Sequence, residues 1–137
     1  MKILLDTNVF LDVLLERKDW VNSSQAILDW CEANTGSAWV SWHTLSNLYY
    51  VGTKMVGAEA AGEFIDTILE DFQVCPVSTE TAHISRKLHF GDYEDAMQAA
   101  CALSAGVDWI VTRNIKDFAT SPVRAISPDE FVLKRNC

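Results

Sequence analysis

The chain has 137 residues, 49% apolar and 22% charged, which is enough for one domain over residues 1–137 with a real core and excludes a disordered chain. No run of about 18 apolar residues is present, so no membrane span is expected, and the apolar run after Lys2 stops at Asp6, unlike a secretory signal. The net charge of −8 argues against indiscriminate binding to nucleic-acid phosphates.

In chain order, short apolar runs predict strands over 3–6, 38–41, 73–77, 109–112 and 124–126. Between them lie helical patterns over 8–16, 21–33, 44–55, 58–71, 79–89 and 93–105. Gly36 and Gly57 stop two of these, and Gly106 occupies the left-handed cap position of the last. Ser127-Pro128-Asp129-Glu130 starts a further helix, with Ser as cap and Pro at the first helical position. This alternation predicts an α/β fold: a three-layer α/β/α sandwich on a mostly parallel five-stranded sheet, the first strand central.

The four cysteines form no C-x-x-C pair and no zinc-like spacing with histidine. Cys31 and Cys101 read as reduced core residues of a cytoplasmic protein.

Asp6 is the first candidate for chemistry. It stands where the run Ile3-Leu4-Leu5 ends, and parallel α/β sheets collect ligands at the carboxyl ends of their strands. Three further segments stand out: Trp42-His43-Thr44-Leu45-Ser46-Asn47-Leu48, the helix start Gly91-Asp92-Tyr93-Glu94-Asp95-Ala96-Met97-Gln98-Ala99-Ala100, and Ile110-Val111-Thr112-Arg113-Asn114-Ile115-Lys116-Asp117-Phe118. Each has a plain structural reading. Asp92 can simply cap its helix, Asn114 and Asp117 can be turn residues, and Asn47 can be a surface residue. Together they aim oxygen-bearing side chains from four segments at one crevice. Two carboxylates about 4 Å apart repel by roughly 4 kcal/mol at an effective dielectric near 20, so such a gathering calls for a cation.

Asp6-Thr7-Asn8-Val9, Thr44 to Leu48, Asp92 to Ala96 and Thr112 to Phe118, in this order and spacing, resemble the motifs of PIN-domain ribonucleases. The toxins of VapBC-type toxin–antitoxin pairs are small members of that family. The resemblance runs from residue 2 to about 133. It implies a metal-dependent endoribonuclease using Mg²⁺ or Mn²⁺, with Asp6, Asp95 and Asp117 as metal ligands and Asp92 as a further one. Thr112 and Asn114 would orient a water or an acid. The family's second acid, a Glu on the helix after the second strand, falls on Asn47, which brings an oxygen but no charge.

The remaining expectations concern contacts. Arg113 and Lys116 flank the acids in sequence and are the leading candidates for RNA phosphate. His43, His83 and His89 have no nucleophile motif beside them and read as structural. Trp30, Trp39 and Trp109 read as core, while Trp20 and Trp42 stay open. The resemblance implies a small antitoxin partner and a homodimer, for which Tyr49, Tyr50 and Phe64 offer surface. The alternative is a PIN-fold domain that binds RNA or protein with weak or no hydrolysis, favoured by Asn47. A receiver-like or phosphatase domain would leave Asp95 and Asp117 unexplained.

Overall fold

The computed structural model describes residues 1–135. Cys137 lies outside them. Five strands form one sheet: β1 (Ile3–Leu5), β2 (Ala38–Val40), β3 (Gln73–Val74), β4 (Trp109–Val111) and β5 (Ala125–Ile126). Every pairing is parallel and the order is β3-β2-β1-β4-β5, so β1 is central. The chain builds outward from β1 to β3 and then returns to the other side for β4 and β5. The order therefore reverses between β1 and β4, and a crevice opens above their carboxyl ends.

The strands are shorter than the apolar runs suggest, for local reasons. Asp6, Ser41 and Thr112 lie just past their strands, where the chain turns into the next element, although the Asp6 and Thr112 N–H groups still reach the Val111 and Ile126 carbonyls at 3.0 and 2.9 Å. The third strand ends at Val74 rather than reaching residue 77. The Cys75 N–H still reaches the Val40 carbonyl at 2.9 Å, but Pro76 has no N–H with which to continue.

Among the described residues seven helices cover the sheet: α1 (Thr7–Leu14), α2 (Val21–Ala33), α3 (Trp42–Val56), α4 (Ala58–Asp71), α5 (Thr79–Lys87), α6 (Tyr93–Ala105) and α7 (Pro128–Arg135), with a 3₁₀ turn at Ile115–Phe118. The alternation of side chains along each strand sorts them into two cores. Ile3, Leu5, Val40 and Val111 face one side, packing with Phe10, Ile27, Leu48, Ile68 and Phe131 from α1, α2, α3, α4 and α7. Leu4, Trp39 and Ile110 face the other, against Ala99, Cys101 and Ala102 of α6 and Phe118 of the 3₁₀ turn. This is the three-layer sandwich. Ile3, Leu4 and Leu5 are wholly buried, and each contributes about 1.5–3 kcal/mol by leaving water. That burial anchors the residue that follows them, Asp6.

Two glycines have structural reasons. Gly106 ends α6 at φ +68°, the expected left-handed cap. Gly52 lets α3 approach its neighbours closely, since a Cβ there would lie 2.9 Å from Leu14 Cδ2 and 3.0 Å from the Ala61 Cβ. Cys31, Cys75 and Cys101 are buried free thiols. Trp39 and Trp109 are buried, Trp30 is packed against the core, and Trp20 and Trp42 are exposed. Among the described residues no helix is long and apolar enough to cross a membrane.

Candidate active site

Asp6 has two structural roles at once. It ends β1, and it is the N-cap of α1, its Oδ1 accepting the Thr7 N–H at 2.8 Å. A carboxylate is favoured there by the unpaired amides at a helix start. The parallel register places Leu5 beside Val111, so Thr112 follows β4 just where Asp6 follows β1. The Thr112 hydroxyl donates to Asp6 Oδ2 at 2.8 Å and accepts the Asn114 N–H at 3.0 Å.

Gln98, on α6, completes the shell; it lies in the Gly91–Ala100 segment, but the sequence alone assigned it no role. It is wholly buried. Its Nε2 lies 3.1 Å from Asp6 Oδ1, 3.0 Å from Thr44 Oγ1 and 3.3 Å from Thr7 Oγ1, so two amide protons are shared among three oxygens. Its Oε1 accepts from the Ser41 hydroxyl. The carboxylate only accepts, which settles which end of the amide faces Asp6. Thr7 and Thr44 share a hydrogen bond of 2.8 Å. Ser41 sits at the N-cap position of α3, which begins two residues before the predicted start, yet its side chain makes no capping bond because Gln98 holds it. The one sequence signal for Gln98 was its position, one turn after Asp95 on the inward face of α6.

Above this floor lies an open cleft of ≈ 380 Å³. Asp6, Asn47, Asp92, Asp95, Asn114 and Asp117 all border it, joined by Asn8 and Glu94. Asp92 does cap α6, accepting the Glu94 N–H at 2.7 Å and the Asp95 N–H at 3.4 Å, and its carboxylate also faces the cleft. Capping the helix therefore does not take Asp92 out of the cleft. Asn47 shares the cleft with Asp6 and Glu94.

The electrostatics follow from crowding. Burial pushes the Asp6 carboxyl up, while Thr112, the Thr7 N–H, Gln98 and the positive Arg113 pull it back. Asp95 is pushed up to about 7, first by burial and then by Asp6, Asp92, Asp117 and Glu94. Glu94 is raised by burial, Asp6 and Asp92. Acids held this close do not all ionise without a counter-charge.

Three residues depart from the sequence reading. Arg113 was expected to meet phosphate. Its guanidinium instead binds the wholly buried Asp12 through Nε at 2.7 Å and NH2 at 3.1 Å, and it lies 4.0 Å from the Trp20 ring centroid. Asp12 also accepts from Ser24 at 3.0 Å and Arg17 at 3.4 Å. The physical reason is that a carboxylate in the core requires paired donors, and Arg113 supplies two of them at 2.7 and 3.1 Å, beside the longer contact from Arg17. Lys116 lines a neighbouring cleft rather than this one. Phe64, offered as surface for a dimer, packs partly onto the core, whereas Tyr49 and Tyr50 are exposed.

A parallel α/β domain with an acid-lined cleft over its topological switch point defines the class. Residues 2–116 match the PIN domain family, and the chain belongs to that family. Its fold is that of several solved structures. DNA-bound VapBC from Salmonella typhimurium is 23% identical, with a TM-score of 0.73 over 93% of this chain and 98% of that one. VapBC2 from Rickettsia felis, bound to a DNA fragment from its promoter, is 22% identical with a TM-score of 0.70 over the same shares. A toxin–antitoxin complex from Klebsiella pneumoniae is 26% identical with a TM-score of 0.68, again over 93% and 98%. No curated protein matches the chain.

Proposed function

We propose that this chain is a metal-dependent endoribonuclease and the toxin of a toxin–antitoxin pair. The observation that carries the reading is the cleft above β1 and β4, where five carboxylates face one another and one of them is pushed up to about 7. Family membership and the fold shared with VapBC structures support it.

The donor set fits Mg²⁺ or Mn²⁺. It offers oxygens from carboxylates and amides, and among the described residues no thiol or imidazole borders the cleft. Among the described residues no three acidic, imidazole or thiol groups close on one point. Mg²⁺ does not require that, because it keeps several waters and is held through one or two carboxylates. Asp6, Asp95 and Asp117 would hold it, with Asp92 and Glu94 alongside. When bound, such an ion lowers the pKa of a water and stabilises charge on the attacking and leaving oxygens of a phosphodiester. The protein's own part is orientation. Thr112 and Gln98 fix the plane of the Asp6 carboxylate, and Asn114 and Asn47 offer amide groups at the rim to position water or RNA.

The net charge of −8 is compatible with an RNA substrate if cations neutralise the cleft and a local base meets the backbone. The shared fold with VapBC structures supports a small antitoxin partner, and the exposed Tyr49 and Tyr50 on α3 support a two-fold homodimer. The buried free thiols suit the cytoplasm. The second reading, a binding domain with little hydrolysis, rests on Asn47. Against it stands Glu94, which borders the same cleft as Asn47 and keeps a carboxylate there.

The test is cleavage of single-stranded RNA with Mg²⁺ or Mn²⁺, beside an Asp6→Asn control. Metal-dependent cutting lost in the variant supports the enzyme. RNA binding without cutting in either protein supports the second reading.

A further inference from the structure

The acid wall has a second side. Asp92, Asp95 and Asp117 border the cleft described above and also a separate one of ≈ 460 Å³. Ligand clefts run roughly 300–1,000 Å³, so each is large enough for about one nucleotide. Their chemistry differs. The first is lined by acids and amides. The second adds a cation, Lys116, together with the Phe90 ring and the His89 imidazole.

The second cleft is also fixed in shape. Thr120 Oγ1 donates to the His89 carbonyl at 2.8 Å. The Phe90 ring meets the buried Phe118 ring edge-on, centroids 5.8 Å apart. These two contacts pin the loop between α5 and α6 to the 3₁₀ turn that carries Lys116 and Asp117.

Charge accounting and position together point to Lys116. Arg17 and Arg113 pair with Asp12, Lys54 lies over Tyr50, Arg86 over Tyr93, and Arg124 over Trp109. Lys18, Lys87 and Lys116 make no ion pair or ring contact among the described residues, and of these three Lys116 borders the wall where a scissile phosphate would sit. Unstacked bases of single-stranded RNA are held by aromatic and histidine side chains.

We propose that this second cleft is a nucleotide subsite beside the cutting point, in which Lys116 pairs with a backbone phosphate and Phe90 and His89 take the base. Sequence preference on one side of the cut is then set here. The inference rests on the ribonuclease reading.

The experiment uses full-length wild type, Lys116→Ala, His89→Ala and Phe90→Leu on random-sequence single-stranded RNA with Mn²⁺, with the cut ends sequenced. His89→Ala and Phe90→Leu should change base preference at one position on one side of the cut, lowering turnover of the preferred base about tenfold, as loss of a stacking contact does. Lys116→Ala should raise KM for all sequences with kcat kept and lower the salt slope by about one. A parallel amide NMR titration without metal, using a nucleoside 5′-monophosphate as probe, should move Gly91, Lys116 and Thr120. Wild type that cuts RNA, with the same cut profile in His89→Ala and Phe90→Leu and the same KM in Lys116→Ala, overturns the subsite and leaves the nuclease standing. Wild type that cuts no RNA with either metal overturns both.

Discussion

Gln98 Nε2 lies 3.1 Å from Asp6 Oδ1, and this contact ties the middle of α6 to the end of β1. The same amide reaches Ser41 and Thr44, so one side chain joins the ends of β1 and β2 and the start of α3 to α6. Gln98→Leu keeps the bulk but removes every one of these bonds. It should cost about 1–3 kcal/mol, the penalty for buried polar groups left without partners. Urea unfolding measures this. Mn²⁺ affinity by calorimetry should fall as well, because the Asp6 carboxylate loses one of its three donors.

Asp6→Asn should abolish metal-dependent cleavage without unfolding the protein. The amide occupies the same space between Thr7, Gln98 and Thr112, and it removes a buried charge that faces other acids. In EDTA its melting temperature should equal or exceed that of wild type. Millimolar Mn²⁺ should raise the melting temperature of wild type, through preferential binding to the folded state, and leave the variant unmoved. A variant that melts far below wild type in EDTA would show that Asp6 is chiefly a helix cap.

Arg113 is bound to Asp12 in the core. Arg113→Ala should destabilise the fold by about 3 kcal/mol, toward the low end for breaking a buried pair, because Arg17 and Ser24 still reach Asp12. Its effect on RNA affinity should be smaller than that of Lys116→Ala. Unchanged stability, with lost RNA binding, would restore Arg113 to the phosphate role.

Asp95 makes the fold sensitive to pH. Its folded pKa is raised from 3.8 to about 7, so between those values the native chain holds a proton that the unfolded chain has lost. Stability from this group therefore falls as pH rises through that window. Urea midpoints in EDTA should decrease between pH 4.5 and 7.5. Asp117→Asn removes one repelling neighbour and should flatten the slope. Mg²⁺ should flatten it too, since a cation competes with the proton. A midpoint that rises over this range in EDTA would contradict the crowding.

Asn47→Glu would place a further carboxylate beside Glu94. Without metal it should lower the melting temperature. With metal it should tighten Mn²⁺ binding, and calorimetry on the two proteins reads the difference. An unchanged affinity would mean that Glu94 already supplies what the family's acid supplies on α3.

Much of this protein was legible in its residues because the signals are local and covalent in origin. The apolar runs Ile3-Leu4-Leu5 and Ile110-Val111, alternating with 3.6-period patterns, determined a parallel sheet with β1 buried at its centre. The Gly106 stop and the Ser127-Pro128 start placed helix ends correctly. The spacing of Asp6, Asp95 and Asp117 around strand ends pointed to one crevice, and those residues do border a single cleft. Tertiary structure alone decided the partners. Arg113 stands next to Asn114 in sequence, yet packing sets its guanidinium on Asp12, a hundred and one residues away. Gln98 reads as an ordinary polar helix residue until α6 packs on the sheet and brings it against Asp6, ninety-two residues distant. Ser41 looks like a cap and is instead a ligand of Gln98. Each of these is a choice among several polar partners. Sequence spacing carries no information about which one burial brings within hydrogen-bond distance, and the cost of leaving a buried polar group unpaired then makes the choice binding.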